Sequence, residues 1–413
     1  MFAINIGLLG LGTVGRGVYD IINNHWGTAF QNGDADIKIT KILVSDLTKD
    51  RGKDLDYSLL TLNADDILLD ENIDIVVAVL GGSEPELSYV LKAMENNKSV
   101  VTANKQIVSE NMELLFQTAQ QNEVSFMFEA SVGGGIPIIE TMLQLLKINK
   151  VDMITGILNG TMNFILSQMS EFGTSFEEAL KKAQELGFAE ADPTADVMGF
   201  DVSRKLSILS SLAFSHIIKD EDIYKRGIVD VSAKDIEVLK NSGYIVKFVA
   251  HSFIKDGKYY ASAEPAIIKE NTHLSSVNDE YNVVILNGNI IGELVISGKG
   301  AGKNPTANAV VGDILYMMNQ KSSDREINFS AALPAGGTEK ITGRYYIRTT
   351  VHNDEQFDTV YDCVDRYILK KDTAYEDGVL YFFTEEIASP IAQQIENELR
   401  PVVDNIFYAR IIE

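Results

Sequence analysis

Residues 4–15 decide the fold of the first domain, and they read Ile4-Asn5-Ile6-Gly7-Leu8-Leu9-Gly10-Leu11-Gly12-Thr13-Val14-Gly15. The apolar first half predicts a buried strand, and the second half fits G-x-G-x-x-G, a pattern that joins such a strand to a helix. In that pattern the first glycine permits a tight turn, the second lets a pyrophosphate approach the backbone, and the third packs the helix against the strand. We therefore predict a dinucleotide site at Gly10, Gly12, Thr13, Val14 and Gly15, although a purely structural glycine turn would look the same.

Outward from this turn, the segments up to about residue 130 alternate between strand-like and helix-like. Predicted strands cover residues 37–44, 74–80, 99–102 and 124–128, and predicted helices cover 15–24, 86–96 and 109–121. This β-α-β rhythm favours a parallel sheet covered by helices. The predicted fold class is therefore α/β, with a Rossmann-type parallel sheet domain.

Two further domains are predicted after the first. From Gly133 the character of the chain changes: Pro137 suits the first turn of a helix, and helices and strands are mixed after it, with strands at 259–263, 281–286 and 293–296. A last segment has the order β-α-β-β-α-β. The predicted division is a Rossmann domain at 1–130, an α+β domain at 131–320, a polar linker at about 319–340 and a small domain at 341–413.

Composition and charge exclude several classes of function. The formal net charge of -23 argues against nucleic-acid and anionic-membrane partners, because their phosphates would be repelled. The single cysteine, Cys363, cannot form an internal disulfide, and the five histidines lack metal-ligand spacing. No apolar run approaches the roughly 20 residues that span a bilayer, and we expect no signal peptide. The composition therefore favours a reduced, cytoplasmic enzyme or binding protein.

The residue that follows the second strand is expected to contact the adenine ribose of a bound dinucleotide. Ser45 and Asp46 occupy that place. An acidic side chain would accept a hydrogen bond from the 2′-hydroxyl of NAD, whereas the 2′-phosphate of NADP would favour a nearby base such as Lys49 or Arg51. The pattern leaves both cofactors open.

Further motifs follow in order along the chain. They are Gly81-Gly82-Ser83-Glu84-Pro85, Thr102-Ala103-Asn104-Lys105, Glu129-Ala130-Ser131-Val132-Gly133-Gly134-Gly135-Ile136-Pro137, Leu158-Asn159-Gly160-Thr161-Met162-Asn163-Phe164, Gly187-Phe188-Ala189-Glu190-Ala191-Asp192-Pro193, Gly199-Phe200-Asp201-Val202-Ser203-Arg204-Lys205 and Gly298-Lys299-Gly300-Ala301-Gly302. In order and spacing this set resembles the homoserine dehydrogenase family over roughly residues 1–320. Some relatives carry a fused aspartate kinase domain, which we do not expect here because the chain starts at the first strand.

The resemblance implies an NAD- or NADP-dependent oxidoreductase that interconverts L-homoserine and L-aspartate 4-semialdehyde in threonine, methionine and isoleucine biosynthesis. It implies that Lys105 lies beside the nicotinamide and the substrate, and that Lys205 donates the proton. It also implies substrate contacts, further cofactor contacts, and a Na⁺ or K⁺ site formed mostly by backbone carbonyls. These three sets are Gly187, Glu190 and Asp201; Ser45, Ser83, Ala103 and Gly302; and Glu129, Val132, Gly134 and Ile136. A homodimer or homotetramer is implied as well.

The residues themselves support this chemistry. Reducing an aldehyde requires a proton at the developing alkoxide, which a lysine can supply, and an amino-acid substrate needs a carboxylate for its ammonium group. If Asp201 begins a helix, it shares one face with Lys205, Ile208 and Leu212, so that the charged pair would be half buried in a cleft. The alternative is an ordinary solvated surface pair of little energetic worth.

Two other functions compete with this one. The first is another Rossmann oxidoreductase that acts on an amino acid, against which the segments Asn159-Gly160-Thr161 and Glu190-Ala191-Asp192-Pro193 argue. The second is a regulatory protein that senses NAD(H) or amino acids without catalysis. The presence of Lys105, Glu190, Asp201 and Lys205 argues against it.

The chain departs from the family pattern in three places. Relatives usually carry a basic residue where Ser45 stands, and Glu where Ala78 stands. The C-terminal segment resembles an ACT domain, the amino-acid-sensing module of many relatives. Its ligand loop, however, lacks glycine and contains Asp354 and Glu355, so we interpret it as a degenerate ACT-like domain.

We expect L-threonine to inhibit this protein weakly or not at all. A pocket for an amino acid needs close approach of the backbone, which glycine permits, and the carboxylates of Asp354 and Glu355 would repel the carboxylate of the ligand. Calorimetry with threonine, methionine and isoleucine tests this expectation. Tight binding of any of the three that is lost when residues 341–413 are deleted would contradict it.

The substitution Ser45→Arg is expected to shift cofactor preference toward NADP, because a guanidinium pairs bidentately with a phosphate. The measurement is the ratio of kcat/KM for NADPH to that for NADH in the variant and in the wild type. An unchanged ratio would show that Lys49, Arg51 or another base already serves the 2′-phosphate.

Overall fold

The computed structural model describes residues 4–24, 36–319, 327, 329–330, 333–367, 370–376 and 378–412. The chain divides into two compact units. The first combines Met1–Asn149, Ser207–Lys219 and Gly298–Ala332, and the second combines Lys150–Leu206, Asp220–Ser297 and Leu333–Glu413. Residues 320–326, 328, 331 and 332 of the predicted linker lie outside the described residues, and the three-domain division at 1–130, 131–320 and 341–413 remains a prediction.

The first unit contains a parallel sheet of six strands, as the β-α-β rhythm predicts. The strands are β1 (Ile4–Leu9), β2 (Ile37–Leu43), β3 (Leu60–Thr61), β4 (Ile75–Ala78), β5 (Ser99–Thr102) and β6 (Phe126–Met127). Their spatial order is β3-β2-β1-β4-β5-β6. Because β1 has β2 on one side and β4 on the other, the direction of winding reverses there, and such a switch point is where open α/β sheets bind ligands.

The helices follow from apolar periodicity and local caps. They are α1 (Thr13–Asn23), α2 (Asp65–Leu68), α3 (Glu86–Glu95), α4 (Lys105–Gln121), α5 (Ile138–Leu146), α6 (Gly160–Phe172), α7 (Phe176–Glu185), α8 (Thr194–Val197), α9 (Phe200–Phe214), α10 (Ala233–Asn241), α11 (Lys303–Asn319), α12 (Asp354–Tyr367) and α13 (Ser389–Leu399). In the first unit, α11 packs on α1 where Gly17 leaves room, since a Cβ there would lie 2.7 Å from the Cβ of Ala307. The Lys303 Nζ to Asp20 Oδ2 contact, 2.6 Å, ties the same two helices.

The second unit is built on a mixed sheet. Its strands are β7 (Val151–Ile157), β8 (Tyr224–Lys225), β9 (Tyr244–Lys255), β10 (Lys258–Lys269), β11 (Tyr281–Gly288), β12 (Gly292–Lys299), β14 (Tyr345–Thr350), β15 (Lys370–Glu376), β16 (Val379–Thr384) and β18 (Ile406–Ile412), with β13 (Thr342–Gly343) and β17 (Ile387–Ala388) as a separate pair. The main order is β12-β11-β7-β9-β10-β18-β14-β16-β15, with β8 beside β10. The mixed α+β character predicted after residue 130 is thus confirmed.

Two long strands, β7 and β9, were not predicted from the sequence, nor were the two-residue strands β3, β8, β13 and β17. The strand β9 pairs with β10 in antiparallel register over twelve residues, from Tyr244 opposite Lys269 to Lys255 opposite Lys258. The turn between them is Asp256-Gly257, and both residues have positive φ, 51° and 71°. Asp-Gly is a strong hairpin signal, so this turn could have revealed the hairpin.

The C-terminal segment has the predicted β-α-β-β-α-β order, and β18 joins it to β10 in one continuous sheet. A buried ion pair holds it to α10 within the second unit: Arg348 Nη2 lies 2.9 Å and Nε 3.0 Å from the Asp235 carboxylate. The Tyr346 hydroxyl donates to the same carboxylate at 2.8 Å. These bonds satisfy a pair that would otherwise be costly to bury. Whether the segment is an ACT-type sensor remains a prediction.

Among the described residues, no helix is both long and apolar enough to cross a membrane.

A buried lysine of β9 generates a pH prediction. Lys247 is 1% exposed, and its Nζ donates to Val277 O at 2.6 Å, Asn278 Oδ1 at 3.0 Å and Asn163 Oδ1 at 3.2 Å. Burial lowers its pKa to about 8. Between about pH 8 and pH 10 this lysine therefore binds more protons in the unfolded chain than in the folded one, and its contribution makes the free energy of unfolding rise with pH.

In Lys247→Met this rise is expected to be smaller, by up to about 3 kcal/mol over the window. Urea unfolding of both proteins from pH 7 to pH 10 measures it. Parallel curves for the two proteins would contradict the assignment.

Candidate active site

The glycine-rich turn lies at the switch point of the parallel sheet. Gly10 has φ of 103°, and a Cβ there would lie 2.9 Å from Val79 O. A Cβ on Gly15 would lie 2.2 Å from Gly10 O, so this contact between helix and turn requires glycine. A Cβ on Gly12 would meet nothing within 4 Å, and Gly12 caps α1 without a side-chain bond. The space around Gly12 is therefore open, and the N–H groups at the start of α1, near Thr13 and Val14, lie beside it. A pyrophosphate requires such an open helix N-terminus.

The end of β2 places Ser45 and Asp46 on the surface at the same edge of the sheet. The Asp46 carboxylate accepts from the Thr48 N–H and hydroxyl, both at 2.7 Å, and these bonds lower its pKa. Arg51 is half-buried in the following loop, where its carbonyl accepts from Arg16 Nη1 at 2.7 Å. The position predicted to contact the adenine ribose is therefore exposed, with the Arg51 guanidinium nearby.

The ends of β4 and β5 carry the next two predicted motifs. Ser83, Ala103 and Lys105 are half-buried there, with Lys105 as the first residue of α4. Asn104 caps α4 by accepting from Gln106 N and Ile107 N at 3.0 and 3.3 Å. Since β1, β4 and β5 are neighbours, the structure brings these residues to the same sheet edge as the glycine-rich turn.

The predicted cation segment packs on the predicted cofactor segment at 298–302. Gly135 N donates to Lys299 O at 3.1 Å, and a Cβ on Gly134 would lie 2.5 Å from Gly300 O. Both carboxylate oxygens of Glu129 cap α5. Oε1 accepts from the Ile139 N–H and Oε2 from the Glu140 N–H, each at 2.8 Å. The Glu129 carboxylate thus fixes the shape of the loop that carries Val132, Gly134 and Ile136. Gly302, with φ of 117°, follows in the neighbouring segment.

In the second unit, Asp201 and Lys205 form a buried pair near the start of α9. Their side chains are 4% and 10% exposed, and Lys205 Nζ lies 2.7 Å from Asp201 Oδ2. Lys205 Nζ also donates to Leu158 O at 2.8 Å. The alternative of a solvated surface pair is therefore wrong, because both charges are withdrawn from water. A buried pair persists when additional hydrogen bonds satisfy it, as they do here.

Asn159 organises this pair, a role that the sequence analysis missed. Its Nδ2 donates at 2.8 Å to Asp201 Oδ2 and at 2.8 Å to Asp196 Oδ1, while its Oδ1 accepts from Met162 N and caps α6. One amide therefore fixes both the helix start and the carboxylate that holds Lys205. The motif Asn-Gly-Thr at 159–161 was the available signal, but a bond to Asp201 requires the fold.

The Gly187–Glu190 segment leaves α7 and returns to α6. Gly187 has φ of 78°, and the Thr161 hydroxyl donates to Phe188 O at 2.7 Å. Glu190 is exposed, with its carbonyl accepting from Gln184 Nε2 at 3.1 Å. This bond network places the predicted substrate segment beside the same α6 start that holds Asp201.

Fold and site together define an oxidoreductase of the Rossmann type with a nicotinamide-binding domain. Two family models match the sequence: "Homoserine dehydrogenase, NAD binding domain" over residues 10–129 and "Homoserine dehydrogenase" over residues 137–315. The chain belongs to the homoserine dehydrogenase family, whose members act on the CH–OH group of homoserine.

Relatives and solved structures agree with this assignment. The homoserine dehydrogenase of Bacillus subtilis is 41% identical over 77% of this chain and 73% of its own length, and that of Lactococcus lactis is 33% identical over 94% and 86%. A crystal structure of the Thiobacillus denitrificans homoserine dehydrogenase superposes with a TM-score of 0.90 at 31% identity, covering 100% of this chain and 99% of that one. These findings favour homoserine dehydrogenase over another amino-acid oxidoreductase and over a regulatory protein without catalysis.

Proposed function

We propose that this homoserine dehydrogenase uses Lys205 as its proton-transfer group in interconverting L-homoserine and L-aspartate 4-semialdehyde. The observation that carries the proposal is the buried Lys205–Asp201 pair, braced by Asn159 and Leu158 O. The nicotinamide cofactor, when bound, supplies the hydride that the aldehyde carbon accepts.

The residues of this chain supply the rest of the chemistry. As hydride reaches the carbonyl carbon, negative charge grows on the oxygen, and the Lys205 ammonium stabilises it and then transfers a proton. In the reverse direction the lysine accepts the proton of the alcohol. Asp201, at 2.7 Å, orients the amine and stabilises its charged form, while Glu190 and Gly187 would bind the amino-acid part of the substrate.

Lys105 is assigned a place beside the nicotinamide and substrate. Its support is its position at the start of α4, on the sheet edge that the glycine-rich turn, Ser83 and Ala103 share. The residues around Gly12 and Gly15 fit a dinucleotide, either NAD or NADP, with the adenine ribose at Ser45.

A monovalent cation, Na⁺ or K⁺, is assigned to the loop at 129–136. The described residues contain no cluster of three or more His, Cys, Asp or Glu side chains suited to a metal. Both Glu129 oxygens bind helix N–H groups, so a cation there would rely on the backbone carbonyls of Glu129, Val132, Gly134 and Ile136. We further infer a homodimer or homotetramer that works in the cytoplasm, in threonine, methionine and isoleucine biosynthesis.

The substitutions Lys205→Met and Lys105→Met are each expected to lower kcat by at least about 10²-fold, the usual scale for a positioned proton-transfer group. Steady-state oxidation of L-homoserine measures kcat, and fluorescence titration with NADH and NADPH measures cofactor binding, which Lys205→Met should largely retain.

The matched control is Lys181→Met, which removes an exposed lysine of α7 and should leave kcat unchanged. A kcat of Lys205→Met close to that of the wild type would contradict the proposal that Lys205 transfers the proton.

A further inference from the structure

We propose that Glu86 is a positioning residue that holds two loops of the cofactor site in their working geometry. The loops are 80–83, after β4, and 103–105, after β5. The inference rests on the proposed cofactor site. In it, Glu86 acts on the site through the two loops and not through contact with the reacting atoms.

The Glu86 carboxylate is withdrawn from water and bonded to the first loop. Glu86 is the first residue of α3 and is 0% exposed. Its Oε2 accepts from the N–H groups of Leu80 at 2.8 Å and Gly81 at 2.6 Å. Gly81 and Gly82 have φ of 85° and 78°, a backbone conformation that residues other than glycine rarely adopt. The hydrogen bonds to the Glu86 carboxylate hold the loop in this conformation.

The same carboxylate is connected to the second loop through Thr102. Glu86 Oε1 lies 3.1 Å from the Thr102 hydroxyl, which in turn accepts from Asn104 N at 3.0 Å. Asn104 Nδ2 donates at 2.6 Å to Gly82 O, which closes the network back on the first loop. Because Asn104 is the N-cap of α4, the network also sets the start of the helix that carries Lys105.

The position of this carboxylate relates to the departure at Ala78. The Thr102 hydroxyl lies beside Glu86 Oε1 and is also 3.0 Å from Ala78 O. The Glu86 carboxylate, which comes from α3, therefore lies near the end of β4, the strand in which Ala78 stands where relatives usually carry Glu. Burial raises the pKa of the Glu86 carboxyl, whereas the bonds from Gly81, Thr102 and Asn104 lower it. A buried carboxylate is costly, and packing alone would be served as well by leucine.

The network lies beside the half of the site where the nicotinamide would bind. The glycine-rich turn that would hold the pyrophosphate lies against Val79 and Leu80, but its own glycines set its shape, since a Cβ on Gly15 would lie 2.2 Å from Gly10 O. Loss of Glu86 should therefore weaken recognition of the nicotinamide half and leave the adenosine half intact. Adenosine diphosphate ribose, which has the adenosine and both phosphates but no nicotinamide, separates the two.

The test uses purified full-length Glu86→Leu and Glu86→Gln, with Kd for NADH, NADPH and adenosine diphosphate ribose from fluorescence and calorimetry, and kcat for homoserine. We expect Glu86→Leu to weaken reduced-cofactor binding about tenfold or more and to lower kcat about tenfold, because backbone donors lose their acceptor. Binding of adenosine diphosphate ribose should change less than about threefold. Glu86→Gln keeps an oxygen for the two N–H groups and should recover most of both losses.

Lys98→Met is the matched control for a purely structural role. Lys98 is 3% exposed and lies at the opposite edge of the same sheet, where its Nζ donates to the carbonyls of Asp70 and Ile73. The Lys98→Met substitution also leaves backbone carbonyls without their donor, so it should lower Tm. At temperatures well below Tm it should change neither Kd nor kcat. If Glu86→Leu behaves in the same way, or weakens all three ligands equally, the positioning role is wrong.

Two outcomes separate this inference from the proposed function. Wild-type protein that binds neither NADH nor NADPH would overturn the cofactor site and this inference together, whereas normal wild-type binding with unchanged Glu86→Leu would overturn only the role of Glu86. Should Glu86→Leu fail to fold, Thr102→Val cuts the same network at the hydroxyl. It is expected to show the same split between cofactor and adenosine diphosphate ribose, and absence of the split would contradict the inference.

Discussion

A charge withdrawn from water must be surrounded by partners, and the arrangement of the second unit around Lys205 follows from this constraint. The ammonium is held by the Asp201 carboxylate and the Leu158 carbonyl, and Asn159 holds that carboxylate in turn. Leu158 and Asn159 are adjacent just before α6, whereas Asp201 and Lys205 lie on α9, so the start of α6 and the start of α9 must meet before the pair can be buried. Breaking one partner would leave a buried charge uncompensated, which is far more costly than losing a surface pair.

In the first unit, the groups that need hydrogen-bond partners are the backbone N–H and carbonyl groups of loops. Loops at the carboxyl ends of parallel strands expose backbone N–H and carbonyl groups, and these need partners if the loop is to keep one shape. Glu86, Thr102 and Asn104 supply them after β4 and β5, and Glu129 supplies them for the start of α5. In both places an acidic side chain accepts hydrogen bonds from backbone N–H groups and so fixes the shape of a nearby loop.

The parallel sheet was predictable because its signals are local. The inner strand β4 is buried throughout, and β1 and β5 are buried over most of their length, so these strands are short apolar runs. The glycines at 10, 12 and 15 mark the turn by their spacing alone. The strand β9 was missed because Lys247 interrupts its apolar pattern. That lysine is nonetheless buried, since Val277, Asn278 and Asn163 surround its amine. Periodicity cannot anticipate acceptors that arrive from thirty or more residues away.

The sequence by itself determined the fold class, the dinucleotide turn, the family resemblance and the presence of Asp201 and Lys205 on one helical face. The periodicity of helices and strands and the conformational freedom of glycine are properties of neighbouring residues, so they can be recognised without the fold. Only the tertiary structure decided that the Asp201–Lys205 pair is buried, that Asn159 binds it, and that the Glu86 carboxylate contacts both Gly81 and Thr102. Burial and hydrogen-bond partnership depend on segments distant along the chain, and the free energy of a charge depends on both.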